Sequence, residues 1–514
     1  MSDSVKALYD RYGPNYRWIA TATVTAGSVG IILSSTIVNV AIPDVMGTFG
    51  IGQDQAQWIA TAFLAAQTVS QLITAWAIET LGIRVSYLLT LILFSIGAVV
   101  GGLAPNMETL AFARVLQGAA AGIVLPTSMI VMALIFPPER KGLAMGIFSM
   151  GTVLAPSIGP VLGGIAIDNY SWRLIFFIPL PLCILAFFLG ARFMPTRERT
   201  AKNTRFDWLG VLLLSTAIIC ALTALSRGQR AGWLSDEILL RACVAVIAGY
   251  AFVVLQLRSS SPLLDFSVLR NKQFAAACMI AVVFGAGLFA TTYYIPVMVQ
   301  TVLAYDATHA GLILAPGGLV LMVLFPITGR LADSIPAMYL IVCGLLILSY
   351  GFFMMGGIDI NTAFLAIATM TVIGRIGLGF IFPPLNTAAL RALPNDAIAR
   401  GSGTLNFFRQ LGGAFGVSLL VIAIEQRAHL HGASLSATQT AANQTSKEFL
   451  SAVTRLLGEG GIPESIQPGS AIQYLGSVVH AQATSLAYQD AAYIISVTFL
   501  LAIVPALILS RRRL

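Results

Sequence analysis

Charge is scarce in this chain, and it is almost wholly excluded from the long apolar runs that make up most of it. Only 10% of the 514 residues are charged while 57% are hydrophobic, and the mean hydropathy is +0.84, a balance that excludes a water-soluble globular domain. All twenty-two acidic residues fall in connecting segments or at run ends, among them Asp44, Glu79, Glu108, Asp168, Asp207, Glu425 and Asp490. None of the four histidines lies inside a run, so the side chains with tunable protonation are missing from the apolar interior. The five cysteines, Cys183, Cys220, Cys243, Cys278 and Cys343, all sit within runs, so neither a disulfide nor a metal site is expected. No phosphate-binding loop or nucleophile elbow occurs, which argues against an enzyme and calls for no cofactor. The runs also lack the alternation of a β-barrel.

What is present is fourteen runs, each near the roughly 20 apolar residues a helix needs to cross a bilayer. They cover residues 18–40, 58–78, 87–104, 109–135, 142–167, 174–191, 208–225, 238–257, 274–300, 310–329, 337–357, 362–388, 401–424 and 490–510, and they predict an all-α polytopic membrane protein. The first seventeen residues carry Lys6, Arg11 and Arg17 but no short apolar core with a cleavage site, so they are expected to stay as a tail. With that tail in the cytoplasm, tails and even-numbered loops hold twenty Lys and Arg against seven on the other face, which predicts both termini cytoplasmic. The net charge of +8 is spread over many short loops. It suits anionic lipid and excludes a nucleic-acid face.

A repeat divides the chain. Ala75-Trp-Ala-Ile-Glu79-Thr-Leu-Gly82-Ile-Arg84 follows the second run, and Gly329-Arg330-Leu-Ala-Asp333-Ser-Ile-Pro336 follows the tenth, 254 residues later; the same offset carries the start of run 1 to within two residues of that of run 9. The expected organisation is a tail (1–17), a six-helix bundle (18–194), a linker with two extra spans (195–273), and a second six-helix bundle (274–424 and 490–510). A long external loop (425–489) interrupts the second bundle, with amphipathic pieces near 449–457 and 472–486. Halves of this kind put a substrate site near the midplane.

Four stretches resemble the major facilitator superfamily, specifically its fourteen-span drug:proton antiporters of the EmrB and QacA type. Thr36-Ile-Val-Asn39-Val-Ala-Ile-Pro43 looks like the span 1 signature of that group and Arg114-Val-Leu-Gln117-Gly118 like the span 4 motif. Ala155-Pro156-Ser-Ile-Gly159-Pro160-Val-Leu-Gly163-Gly164 resembles the antiporter motif of span 5, and Ser171-Trp172-Arg173 opens span 6 as in the group. Two positions depart from the pattern: Ser34 stands where the span 1 signature has an aspartate, and the span 2 loop has Glu79 for aspartate and Ala75 for glycine.

The resemblance implies an inner-membrane efflux transporter that works by alternating access on amphipathic drugs or metabolites. It implies a hinge at Pro156, Gly159, Pro160, Gly163 and Gly164 against the second bundle, and a cytoplasmic latch in which two equivalent loops, one with Glu79 and Arg84 and one with Arg330 and Asp333, hold the two halves together by charge contacts and a helix terminus. The polar path would be lined by Ser34, Asn39, Gln67, Gln71, Arg114, Gln117, Arg375, Asn386, Asn406 and Arg409. The long external loop would dock a periplasmic adaptor leading to an outer-membrane channel. The residues themselves leave rivals open. Arg114, Arg375 and Arg409 are the only charges well inside runs, and without core acids they suit an exporter of organic anions with weak proton coupling. The lost span 1 acid also suits a membrane sensor or scaffold that transports nothing.

Overall fold

The computed structural model describes residues 3–509 except 52, 57, 197–205, 260, 261, 304, 306, 395, 396 and 441. The side chains of residues 3, 4, 39, 40, 43, 53, 54, 138, 153, 154, 156, 157, 160, 161, 168, 229, 230, 307 and 308 are also outside the described set. The expectations for the side chains of Asn39, Pro156 and Pro160 therefore lie outside the described residues.

In lipid a backbone must satisfy its own hydrogen bonds, and the chain does so as long helices; no strand occurs among the described residues. The first bundle contains α1 (Tyr16–Ile37), α2 (Trp58–Leu81), α3 (Ile83–Gly102), α4 (Met107–Ile135), α5 (Lys141–Asn169) and α6 (Leu180–Phe193). The inserted pair is α7 (Trp208–Ala231) and α8 (Asp236–Arg258), followed by α9 (Lys272–Thr301), α10 (Ala307–Ser334), α11 (Ala337–Met355), α12 (Phe364–Arg391) and α13 (Ile398–Thr438). Helices α14 (Gln444–Glu459) and α15 (Gln467–Leu501) follow, and a short helix, Ile503–Ile508, comes after them. Among the described residues 13 helices are long and apolar enough to cross a membrane; α5, at 29 residues, packs among them as the fourteenth.

Local chemistry sets the helix ends. Asn106 accepts from the Thr109 amide at 2.9 Å and starts α4, and Asp207 accepts from the Gly210 amide at 2.8 Å and starts α7. The Asn271 side chain takes the amides of Gln273 (3.0 Å) and Phe274 (3.2 Å) and starts α9, each case a side-chain oxygen relieving an orphan donor. Between α2 and α3 the chain turns at Gly82, whose φ of 82° only glycine adopts without strain. Tyr16 Oη donates to the Phe193 carbonyl at 3.0 Å, tying α1 to α6. Tyr9 of the N-terminal helix Asp3–Tyr12 bonds the Ile135 carbonyl at 2.6 Å, which marks that end of the bundle as the face bearing the tail. We call it the basic face.

The bundles meet along two seams, α2 with α13 and α5 with α10. At the α5–α10 seam Gly142 lies against the backbone of Gly329, and Gly146 against that of Phe325, so closely that a Cβ at either glycine would overlap the opposing carbonyl. The inserted pair leans on the other seam, burying Leu214, Ile218, Leu222 and Phe252 with Ala65, Val69 and Leu72 of α2 and Phe407 of α13.

The sequence-predicted loop 425–489 is mostly helical. α13 runs on to Thr438, α14 follows, and α15 begins at Gln467. Hydropathy locates where a helix leaves lipid, whereas the helix ends only where its backbone is broken, here by Gly461 at φ 80° before Pro463.

Candidate functional site: buried arginines and the seam between the bundles

Arg114 is 1% exposed. Its Nε donates to the Ile59 carbonyl at 3.0 Å and its Nη1 to Gln117 Oε1 at 2.9 Å, with the Ser34 carbonyl and hydroxyl each 3.4 Å away. The guanidinium lies 4.2 Å from the centre of the Phe63 ring. The helices thus bring Ser34 and Arg114 into one layer, and every partner named is neutral. A guanidinium has five donors and cannot shed its proton at ordinary pH, so this layer is a fixed positive charge held by dipoles and a ring face.

The second bundle carries the other two arginines. Arg375, buried in α12, packs its chain on Gly317 of α10, and its Nε makes no hydrogen bond within the described chain. Arg409 donates to Asn406 Oδ1 and sits 5.0 Å from the centre of the Phe382 ring. Asn406 in turn donates to the Ser402 carbonyl at 2.9 Å and reaches across the seam to Met129 Sδ at 3.0 Å. Met129 and Arg114 are both on α4, about 22 Å apart along its axis at 1.5 Å per residue. The polar residues expected to line one path thus fall in at least two layers. Gln67, Gln71 and Asn386 are buried, and Gln71 Nε2 and Oε1, Asn386 Nδ2 and Gln117 Nε2 make no hydrogen bond within the described chain. Leaving such atoms unpaired costs about 1–3 kcal/mol each, so they are the polar groups most available to a bound molecule.

The residues expected to form the latch lie where the bundles meet at the basic face. Asp333 accepts from the Gly142 amide at 2.7 Å and the Leu143 amide at 3.0 Å, the first turn of α5 in the opposite bundle. A carboxylate at a helix N-terminus is favoured by both orphan amides and the helix dipole. Its cation is Arg391, 2.7 Å away, while Arg330 is exposed. Glu79 reaches Arg400 of α13 at 3.3 Å. Arg84 instead donates to the Met194 carbonyl at 2.8 Å, because the turn at Gly82 directs it toward the end of α6. Glu79 and Asp333 thus reach across the seam to the opposite bundle, while Arg84 and Arg330 make no such contact among the described residues. Arg400 also holds Asp265 at 2.8 Å. Sequence reasoning missed Arg391, Arg400 and Asp265. One signal was available for Arg400, since a cation in the first turn of a helix opposes the dipole and calls for acids nearby.

The glycine motif of α5 faces its own bundle. Gly159 lies against Leu33 and Thr36 of α1, Gly163 against Ile37, and Gly164 faces open space. The expected contact of this motif with the second bundle is made lower on the same helix, by Gly142 and Gly146. Among the described residues, every hydrogen bond and ion pair joining the two bundles lies in the half of the molecule nearer the basic face.

The sequence profile of the Major Facilitator Superfamily matches residues 24–417. The chain is 31% identical over 420 residues to the multidrug export protein EmrB of Haemophilus influenzae, covering 81% of this chain and 82% of that protein. It is 29% identical over 424 residues to the fatty acid resistance protein FarB of Neisseria gonorrhoeae, covering 81% and 83%. Among solved structures, the human organic anion transporter MFSD10 aligns with a TM-score of 0.63 at 13% identity over 95% of this chain and 99% of that one. The proton:xylose symporter XylE aligns with a TM-score of 0.61 at 13% identity over 95% of each chain, and both speak to fold alone. A profile match over most of the chain, on two helical bundles that meet at paired seams, makes this chain a member of the major facilitator superfamily of membrane transporters.

Proposed function

We propose that this protein is an efflux transporter of a bacterial inner membrane that exports amphipathic drugs or metabolites by alternating access. The observation that carries the reading is the charge latch across both seams, Asp333 on the α5 N-terminus and Glu79 on Arg400. These contacts close one end of the molecule. The Glu79–Arg400 pair is partly exposed, at 25% and 41% of its side chains, so water competes for it and it is worth roughly 0–1 kcal/mol; Asp333, 10% exposed, is held more firmly by the α5 amides. A few polar contacts of this kind, with no covalent link, can part and re-form, as a gate must. The excess of basic residues on the latched face supports its being cytoplasmic, with both termini on that side. α14 and the flanking parts of α13 and α15 then stand outside. The exposed Leu456, Ile472 and Tyr474 of these helices, with Ile466 between α14 and α15, suit docking of a periplasmic adaptor leading to an outer-membrane channel, as in a tripartite pump, and the relatives named for multidrug export support the cargo class.

A second reading is favoured by Arg114, Arg375 and Arg409: no carboxylate pairs with any of them among the described residues. A cavity with fixed positive charge would take organic anions such as fatty acids, with weak proton coupling. Purified protein in liposomes separates the readings. Efflux of ethidium driven by an imposed pH gradient supports drug export, efflux of a dansyl-labelled fatty acid that is indifferent to the gradient supports the anion reading, and movement of neither overturns transport.

A further inference from the structure

The segment joining the inserted helix pair to the second bundle brings a second carboxylate to the latch. Arg400 is held by Glu79 through Nε at 3.3 Å and by Asp265 through Nη1 at 2.8 Å. The two acids belong to different bodies. Glu79 is on α2 of the first bundle, whereas Asp265 precedes the short turn Val268–Arg270, which packs on α9 of the second bundle, the same body as Arg400. Asp265 is also the more buried, its side chain 13% exposed against 25% for Glu79. Burial pushes its carboxyl up, but hydrogen bonds from Ser267 and Arg400 outweigh that and hold it below the usual carboxylate range.

The inserted pair fixes this carboxylate in place. The amides of Leu263 and Leu264 donate to Gln256 Oε1 at 2.6 and 3.3 Å. Gln256 Nε2 donates to Asp207 Oδ2 at 2.7 Å, and Asp207 Oδ1 caps α7. Gln256 is 3% exposed, so the end of α8, the start of α7 and the outgoing segment form one hydrogen-bonded corner. The Ser267 amide then orients Asp265 from the other side at 2.9 Å.

We propose that Asp265 is a positioning residue of the transport cycle, a counter-ion that stays on Arg400 when the bundles part at the basic face and so lets the Glu79 contact break. Without it, opening would strand a cation in the first turn of α13, where the helix dipole disfavours it. With it, the guanidinium keeps one partner in both states and the energy separating closed from open is small. The inserted pair is, on this view, an arm that holds the counter-ion of the gate. The inference rests on the latch reading above, and its consequences have opposite signs. Removing Asp265 leaves Arg400 to Glu79 alone and favours closure, while removing Glu79 favours opening.

The test uses the full-length chain with its cysteines replaced, in lipid nanodiscs, with spin labels at Ala191 and Tyr339, exposed positions toward the basic face on different bundles. The closed-to-open ratio read from the distance distribution should rise roughly twofold to fivefold in Asp265→Asn and fall by a similar factor in Glu79→Gln, the range of a half-exposed ion pair. Asp265→Glu should restore the parent ratio. Gln256→Leu, which frees the segment and leaves Asp265, Arg400 and Glu79 themselves unchanged, should shift the ratio in the same direction as Asp265→Asn. If Asp265→Asn opens the basic face as Glu79→Gln does, or leaves the ratio unchanged, Asp265 only braces the helix and the proposal is wrong. If Glu79→Gln leaves the ratio unchanged, the latch reading itself fails.

Discussion

Arg114 imposes requirements on its surroundings that follow from its chemistry alone. A guanidinium in the apolar interior costs about 2.5–3.5 kcal/mol on insertion scales, so its presence demands a polar neighbourhood, and Ser34 on α1 and Gln117 on α4 supply it. The contribution of Phe63 could not be read, because a ring 4.2 Å from the guanidinium is set by the packing of α2 on α4 and by no spacing in the chain. Asn406 was legible only as a polar residue in a span. That it crosses the seam to Met129 depends on how the bundles meet. Arg114→Ala should insert normally, since the cost of burying the cation is relieved, and should lose most transport, since the layer loses its charge. Flux in liposomes against the amount of correctly folded protein by size-exclusion chromatography checks this. A variant as active as the parent would make Arg114 a brace for the Ile59 and Ser34 carbonyls only.

At the level of helices, hydropathy sees lipid and little else. It located the spans because every span must be apolar, but it took 425–489 for a loop, where the polar extensions of α13 and α15 continue as helix in water. It likewise identified small residues on α5 without their direction: Gly159 and Gly163 face α1, and the contact with the second bundle falls to Gly142 and Gly146. The direction follows from the seam, which no single helix encodes. Gly142 therefore offers an element-scale prediction. A valine there would place its Cβ into the Gly329 carbonyl and push Asp333 away from the α5 amides, and overpacking of this kind typically costs about 1–3 kcal/mol. Gly142→Val should hold the basic face open. A thiol at Ser334, next to the latch, should react with a water-soluble maleimide severalfold faster than in the parent; an unchanged rate would show that the seam yields without opening.

At the scale of the whole molecule, the direction of the proposed transport and its source of energy both turn on where charge is placed. If the basic face is cytoplasmic, a single thiol at the exposed Ser451 of α14 should be labelled from outside intact cells and one at Ser334 should not; the reverse pattern would invert the transporter. Proton coupling would need a titrating group, and no acid or histidine lies in the middle of a span. Ser34 stands where the resembled antiporters have an aspartate, its hydroxyl already 3.4 Å from Arg114 Nη1, and two acids toward that end of the bundle, Asp44 and Glu108, are exposed. The parent is expected to export with weak dependence on a pH gradient. Ser34→Asp would put a carboxylate within reach of the guanidinium, where the positive charge lowers its pKa and burial raises it. Whichever effect prevails, a titrating group then sits beside the fixed charge, and transport should become more dependent on pH than in the parent. Flux in liposomes across a series of imposed gradients, with membrane potential clamped, measures the change. A parent whose export collapses when a protonophore removes the gradient would show that the proton travels through another group, and replacement of Asp44 and Glu108, singly and together, would then identify which.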